Sequence, residues 1–204
     1  GKVAQGILHI RPKLGDYMID NEDSLGMMFG WSNSYDKSIR FQCAIGAYVS
    51  VCSNGMIGGE LGYTRKHIGS ADYDIIKQIN RQVDTAAKTY KSLIDDKKEF
   101  SSISITLKEQ SSLLGRLFVE EDILDPSQLS IVKNEIKKPT YDYNCDHDSV
   151  WSFYNHVTHA MKKTHPKRWM NDQKKFHDFM TMTFVSNSAI SKKDTCHNKI
   201  MDDM

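Results

Sequence analysis

Ile39, Phe41, Cys43, Ile45, Ala47, Val49 and Val51 alternate with Arg40, Gln42, Ala44, Gly46, Tyr48 and Ser50. A period of two held over about a dozen residues marks a strand with one face buried and the other wet. Gly46 in its middle predicts a bend or bulge. Asn54-Gly55, a pair that tolerates positive φ, predicts a tight hairpin turn with Met56–Tyr63 as the return strand. Gly6–Arg11 and Gly26–Trp31 are apolar runs that read as two earlier strands.

The period changes after residue 70. Ile75, Ile76, Ile79, Val83, Ala86, Ala87, Tyr90, Leu93 and Ile94 recur at steps of three and four. That spacing predicts an amphipathic helix over 71–99, near 40 Å long at about 1.5 Å per residue. Ser70 or Asp72 is its candidate cap. Its opposite face carries Lys77, Arg81, Lys88 and Lys91, with Asp84 among them. Ser102–Leu107 alternates again and reads as a strand. Helices are expected over Lys108–Glu120, Pro126–Lys137, Ser149–Lys163 and Pro166–Phe184. Asp125 and Pro126 supply a cap and a first-turn proline for the second of these.

Strands first and helices afterwards define an α+β fold: an N-terminal curved antiparallel β-sheet packed by a long helix, followed by a C-terminal helical region. The expected division is an α+β core over residues 1–140, a helical part of the same domain over 141–185, and a loose polar tail over 186–204. At 204 residues the chain buries roughly 70% of its unfolded surface without staples. Nothing in it approaches the ~20 apolar residues of a membrane span, so no membrane partner is expected. The four cysteines, Cys43, Cys52, Cys145 and Cys196, lie too far apart for a dense disulfide framework and point to a reducing cytosol. Net charge is +1, but it is unevenly spread. Residues 71–150 hold 11 Lys and Arg against 15 Asp and Glu, a balance of −4; residues 151–204 hold 9 against 5, a balance of +4. The asymmetry hints at an anionic partner for the C-terminal part.

Chemistry-bearing motifs are sparse. Asn33–Ser38 is a polar loop able to meet a phosphate, although Asn, Ser and Asp more often satisfy local backbone groups. Cys52 has no base at a telling spacing and reads as a buried strand-end thiol. On the helix that starts near Trp151, the residues Trp151, Tyr154, Asn155, Thr158, His159 and Lys162 lie near one face. They form either a base-stacking platform or a core-packing stripe with Asn155 and Thr158 bonded to a neighbouring loop. Cys145-x-His147 upstream of His156-x-x-His159 offers four N/S donors, but the spacing matches no strong zinc pattern. There is no Walker-type loop, dinucleotide fingerprint or nameable catalytic constellation. No cofactor is implied, and an enzymatic reading has no positive support.

The order Asn33-Ser34-Tyr35-Asp36-Lys37-Ser38, an Arg40-containing strand, and then Val51-Cys52-Ser53-Asn54-Gly55-Met56 resembles the phage- and plasmid-encoded family numbered 932 among domains of unknown function. Trp151–Lys163 resembles the family's C-terminal helical signature, Trp-x-x-Tyr-Asn-x-x-Thr-His-x-x-x-Lys. Tyr35 and Lys37 stand where the family shows His and Gly. The matching positions are Asn33, Ser34, Asp36, Ser38, Cys52, Asn54, Gly55, Trp151, Tyr154, Asn155 and Thr158. The resemblance implies a viral or mobile-element origin and supplies no activity. The sheet-then-helix layout is similar, at fold level only, to phage single-strand annealing proteins.

The leading expectation is therefore a phage-encoded, non-enzymatic protein of DNA metabolism in the cytoplasm of an infected bacterial host. It would bind single-stranded DNA and anneal it as a homo-oligomer. Its candidate contacts are Arg40 and Gln42 on the ribbon, Arg65, Lys66, Lys77, Arg81, Lys88 and Lys91 on and before the long helix, and Lys162 and Lys163 near the C-terminal end. Rival expectations are a host-takeover or anti-defence protein that binds a bacterial protein through exposed Tyr, Trp and Met, a virion-associated structural protein, and a metal-dependent nuclease.

Overall fold

The computed structural model describes residues 3–10, 25–34, 41–49, 54–63, 71–143 and 145–201, with the side chains of 3–10, 63, 71–72 and 186–201 left aside. Among the described residues, five antiparallel strands are followed by five helices. The strands are β1 (Val3–Ile10), β2 (Leu25–Ser34), β3 (Gln42–Val49), β4 (Asn54–Ile57) and β5 (Gly62–Tyr63). The helices are α1 (Ala71–Ser102), α2 (Leu107–Val119), α3 (Pro126–Lys137), α4 (Val150–Met161) and α5 (Trp169–Met201). The fold is α+β, with an N-terminal sheet and C-terminal helices, and no described helix is long and apolar enough to cross a membrane.

The sheet runs β1-β2-β3-β4, and β5 joins the outer edge of β3 beyond β4. The expected single return strand is thus two short ones: β4 pairs with Gly46–Val49, and β5 pairs with Gln42 and Cys43. Asn54 lies opposite Val49, and Gly55 opposite Tyr48, so Asn54-Gly55 is strand and not turn. The connection falls on residues 50–53, outside the described residues. Gly46 carries no bulge toward β2, where its ladder runs on through Met28, and toward β4 it is the last rung, opposite Ile57. A Cβ there would stand 2.3 Å from the Met56 carbonyl oxygen, so close backbone approach is what demands glycine.

β3 is buried along nearly its whole length, not on one face only. Ile45, Ala47 and Val49 enter a core with Tyr90 and Leu93 of α1 and the aromatics of α4. The other face, at Ala44, packs with Met28, Ile57 and Met170, flanked by Tyr48 and Trp169 from the start of α5. Helices therefore cover both sides of the sheet centre, and Gln42, expected on a wet face, is buried beside Asn171.

α1 anchors the assembly with Tyr90, Leu93 and Phe100, and the Tyr90 hydroxyl donates to the Leu25 carbonyl at 2.9 Å. Ser102–Leu107 is not a strand. α1 ends at Ser102, a lone bridge joins Ser104 to Ser149, and Thr106 caps α2. Thr106 and Glu109 form a reciprocal capping box, as do Asp125 and Gln128 at α3. α5 carries helical backbone to Met201, through the segment expected to be a loose tail.

Candidate nucleic-acid interface

Lys77, Arg81, Lys88 and Lys91 are all exposed on α1. At about 100° per residue they fall within an arc of about 80°, and from first to last they span about 21 Å. Gln82, Tyr90, Leu93 and Phe100 hold the opposite side of the helix in the core, so burial of the apolar stripe fixes where the cations point. Asp84 lies among them, exposed. Tyr73, 70% exposed, begins the same face one turn before Lys77.

A groove of about 360 Å³ runs beside this face, between α1 and the Gly59-Glu60 turn. Arg81, Gln82, Thr85, Lys88, Thr89 and Ser92 line its helical wall. The turn is shaped by Gly59 at φ 65°, where an added Cβ would stand 3.1 Å from the Thr89 hydroxyl. Gln82 clamps the turn in place: its amide donates to the Glu60 carbonyl at 2.9 Å, while its oxygen accepts from the Ile45 amide of β3 at 3.2 Å. The Glu60 carboxylate then reaches Arg81 at 2.6 Å. Thr85 turns its hydroxyl inward to the carbonyls of Arg81 and Gln82. Among the described residues, Arg81 is the one member of the four-cation line with an ion pair.

The structure does not bring every expected contact to this face. Lys162 and Lys163 are exposed at the far end of α4, with the Lys162 ammonium 5.7 Å from the Tyr141 ring centroid. In α5, Lys174 pairs with Asp178, and Arg168, just before the helix, pairs with Asp172 at 3.1 Å while donating to the Asp122 carbonyl at 2.6 Å. The positive balance of the C-terminal part is thus partly neutralised by its own carboxylates. Arg40, Arg65, Lys66, Asp36, Ser38 and Cys52 lie outside the described residues.

The remaining motif positions build the core. Asn54 of β4 donates through its side-chain amide to the Asn155 carbonyl at 3.1 Å, and Asn155 donates to the Trp151 carbonyl at 2.9 Å. Two motifs a hundred residues apart therefore meet by hydrogen bonds where the sheet touches α4. Thr158 bonds back to the carbonyls of Tyr154 and Asn155. Trp151 and Tyr154 are fully buried and stacked at 5.5 Å, with Phe100 and Phe176 against Tyr154 at 5.6 and 4.7 Å. Burial pushes the Tyr154 phenol well above its ordinary range; its oxygen meets His177 Nδ1 at 3.3 Å, and His177 Nε2 faces Asp96 at 3.3 Å. Of the two readings of this helix, the geometry is that of a core-packing stripe, and the bonded neighbour is Asn54. A Cβ added at Gly55 would stand 3.1 Å from the Met28 methyl, and Ser34 is buried with its amide on the Asn33 carboxamide.

His156 and His159 face Glu135 of α3 at 3.9 and 3.8 Å. Burial lowers His156 to about 4, opposed by Glu135 and assisted by His147 and His159. Cys145 is half-buried and raised by that burial, whereas His147 is exposed. Among the described residues no group of three or more His, Cys, Asp and Glu is placed to hold a metal ion. Cys43 is a buried thiol pushed up to about 11 by desolvation, which makes it a poor nucleophile.

What sequence reasoning missed is the groove's second wall. The sequence pattern places Gly58-Gly59-Glu60 inside a return strand over Met56–Tyr63, whereas Glu60 meets Arg81, 21 residues away. The domain is an antiparallel sheet clasped between helices, with a cation-lined groove on its longest helix. The model of the family described as Domain of unknown function (DUF932) matches residues 5–182, and the chain belongs to that family. No curated protein and no solved structure matches the chain.

Proposed function

We propose that this chain is a phage-encoded protein of DNA metabolism that binds single-stranded nucleic acid along α1, in the cytoplasm of an infected bacterial host, and pairs complementary strands as an oligomer. The observation that carries the reading is the solvent-facing line of Lys77, Arg81, Lys88 and Lys91 beside a groove with the Thr89 and Ser92 hydroxyls in its wall. Four cations over about 21 Å suit several successive phosphates of one strand. Tyr73 on the same face offers a ring for a base. A gel shift with labelled single-stranded oligonucleotide at low and raised salt tests it. A retarded band that fades with salt is expected, and no retardation at low salt overturns the proposal.

A second reading has its own observation. Ile76 and Val83 are 58% and 59% exposed on the flank of α1 nearest Tyr90. Apolar side chains at that border suit a protein partner, such as a bacterial host factor. Loss of a pulled-down partner on Ile76→Ser with Val83→Ser, with oligonucleotide binding intact, would favour it.

A further inference from the structure

Glu60 has a place in this groove that the basic line alone does not account for. Its backbone is fixed at two points, by the left-handed Gly59 before it and by the Gln82 amide on its own carbonyl. The carboxylate is thereby delivered to Arg81 at 2.6 Å across the groove, although both side chains are largely open to water, at 78% and 63% exposure. An exposed ion pair of this kind contributes little to folding stability, so the placement of the Glu60 carboxylate matters more for what the groove offers Arg81 than for the fold. Seen from the groove, one carboxylate oxygen occupies the guanidinium at Nη2, a charge-assisted contact that a non-bridging phosphodiester oxygen would also make. Lys88, on the same wall, has no such partner among the described residues.

We infer that Glu60 is an internal competitor for the Arg81 anion site, which a phosphate of the bound strand must displace; this rests on the nucleic-acid reading above. Binding at this position is then an exchange of one anion for another on Arg81. The carboxylate must give up the guanidinium before the phosphate can take it, and loss of that pair holds affinity down. Tight retention of any one segment is discouraged, which suits a protein that must release strands after pairing them.

The test is fluorescence anisotropy with a labelled oligothymidylate on wild type, Glu60→Gln, Arg81→Ala and the double variant, each at about 50 mM and about 200 mM salt. Glu60→Gln is expected to bind about fivefold tighter at low salt, the size of one unit charge at about 4 Å in water, with the gain shrinking at higher salt. The gain is expected to vanish in the Arg81→Ala background, as a double-mutant cycle requires of a pairwise effect. If wild type binds and Arg81→Ala weakens it while Glu60→Gln changes nothing, the competitor role is overturned and the nucleic-acid reading stands. An equal gain with and without Arg81 also overturns it, since the effect is then general charge. Absence of binding by both wild type and Glu60→Gln at low salt overturns both proposals.

Discussion

The outer face of α1 and the interior joint around α4 are opposite solutions within one core. The α1 face exposes four cations whose directions are set by the apolar stripe behind them and, at Arg81, by the Glu60 carboxylate. The α4 joint exposes almost nothing: eleven of its twelve residues are buried, and Asn155, Thr158 and Ser152 bond to Asn54, to backbone carbonyls or to His156, while Trp151 Nε1 and His156 Nδ1 are buried without a hydrogen-bond partner among the described residues. Family-motif residues concentrate in the joint, and the candidate ligand contacts concentrate on the face. A motif recognisable at sequence level is here a means of holding the sheet to the helices, and the surface offered to a partner is a separate matter.

That contrast breaks if substitutions in the joint and on the face behave alike. The largest effect is expected from Trp151→Ala, which empties a fully buried, stacked site; urea unfolding should register a loss of about 3–5 kcal/mol. If the loss is below about 1 kcal/mol, the joint is not what holds the layers together.

Next in size is the response to acid. The His156 folded value of about 4 lies below its ordinary 6.5, so the unfolded chain takes up the proton first as pH falls. The stability held by the neutral imidazole is complete above about 6.5 and is lost progressively down to about 4, on the order of 3 kcal/mol in all. Unfolding curves across this window should show that slope in wild type and a reduced one in His156→Gln. Equal slopes would remove His156 as its source.

The face is sharpened by replacing Lys77, Arg81, Lys88 and Lys91 together with alanine. Oligonucleotide affinity at low salt should fall by about 10- to 100-fold, and the logarithmic salt slope should shrink by roughly 2–3. Stability should stay within about 0.5 kcal/mol of wild type. A comparable loss of stability would make the line structural. The smallest effect is expected at Thr106→Ala, which removes half of a capping box on an exposed helix start and should cost about 1 kcal/mol in the same unfolding assay.

Local chemistry was legible in the sequence, and layering was not. α3 begins and ends where Asp125, Pro126 and the apolar period place it, because a cap and a first-turn proline act within one turn of chain. The four cations of α1 were likewise readable, since helical period alone puts them on one side. The wet face assigned to β3 failed because its cover, Trp169 and Met170, comes from the start of the last helix, far along the chain. Asn54-Gly55 was read as a turn on equally local grounds, yet Asn54 is held in a strand whose side-chain partner is 101 residues away. Glu60 escaped notice for the same reason: its meaning depends on a helix that the turn meets only after folding.

Gln82 has one further consequence, for the interior of the sheet. β4 and β5 leave a gap of two residues along the outer border of β3, and the Ile45 amide points into that gap. A donor buried there with no acceptor would cost about 1–3 kcal/mol. A helix side chain supplies the missing oxygen, so the sheet tolerates a broken rung where β3 changes partner.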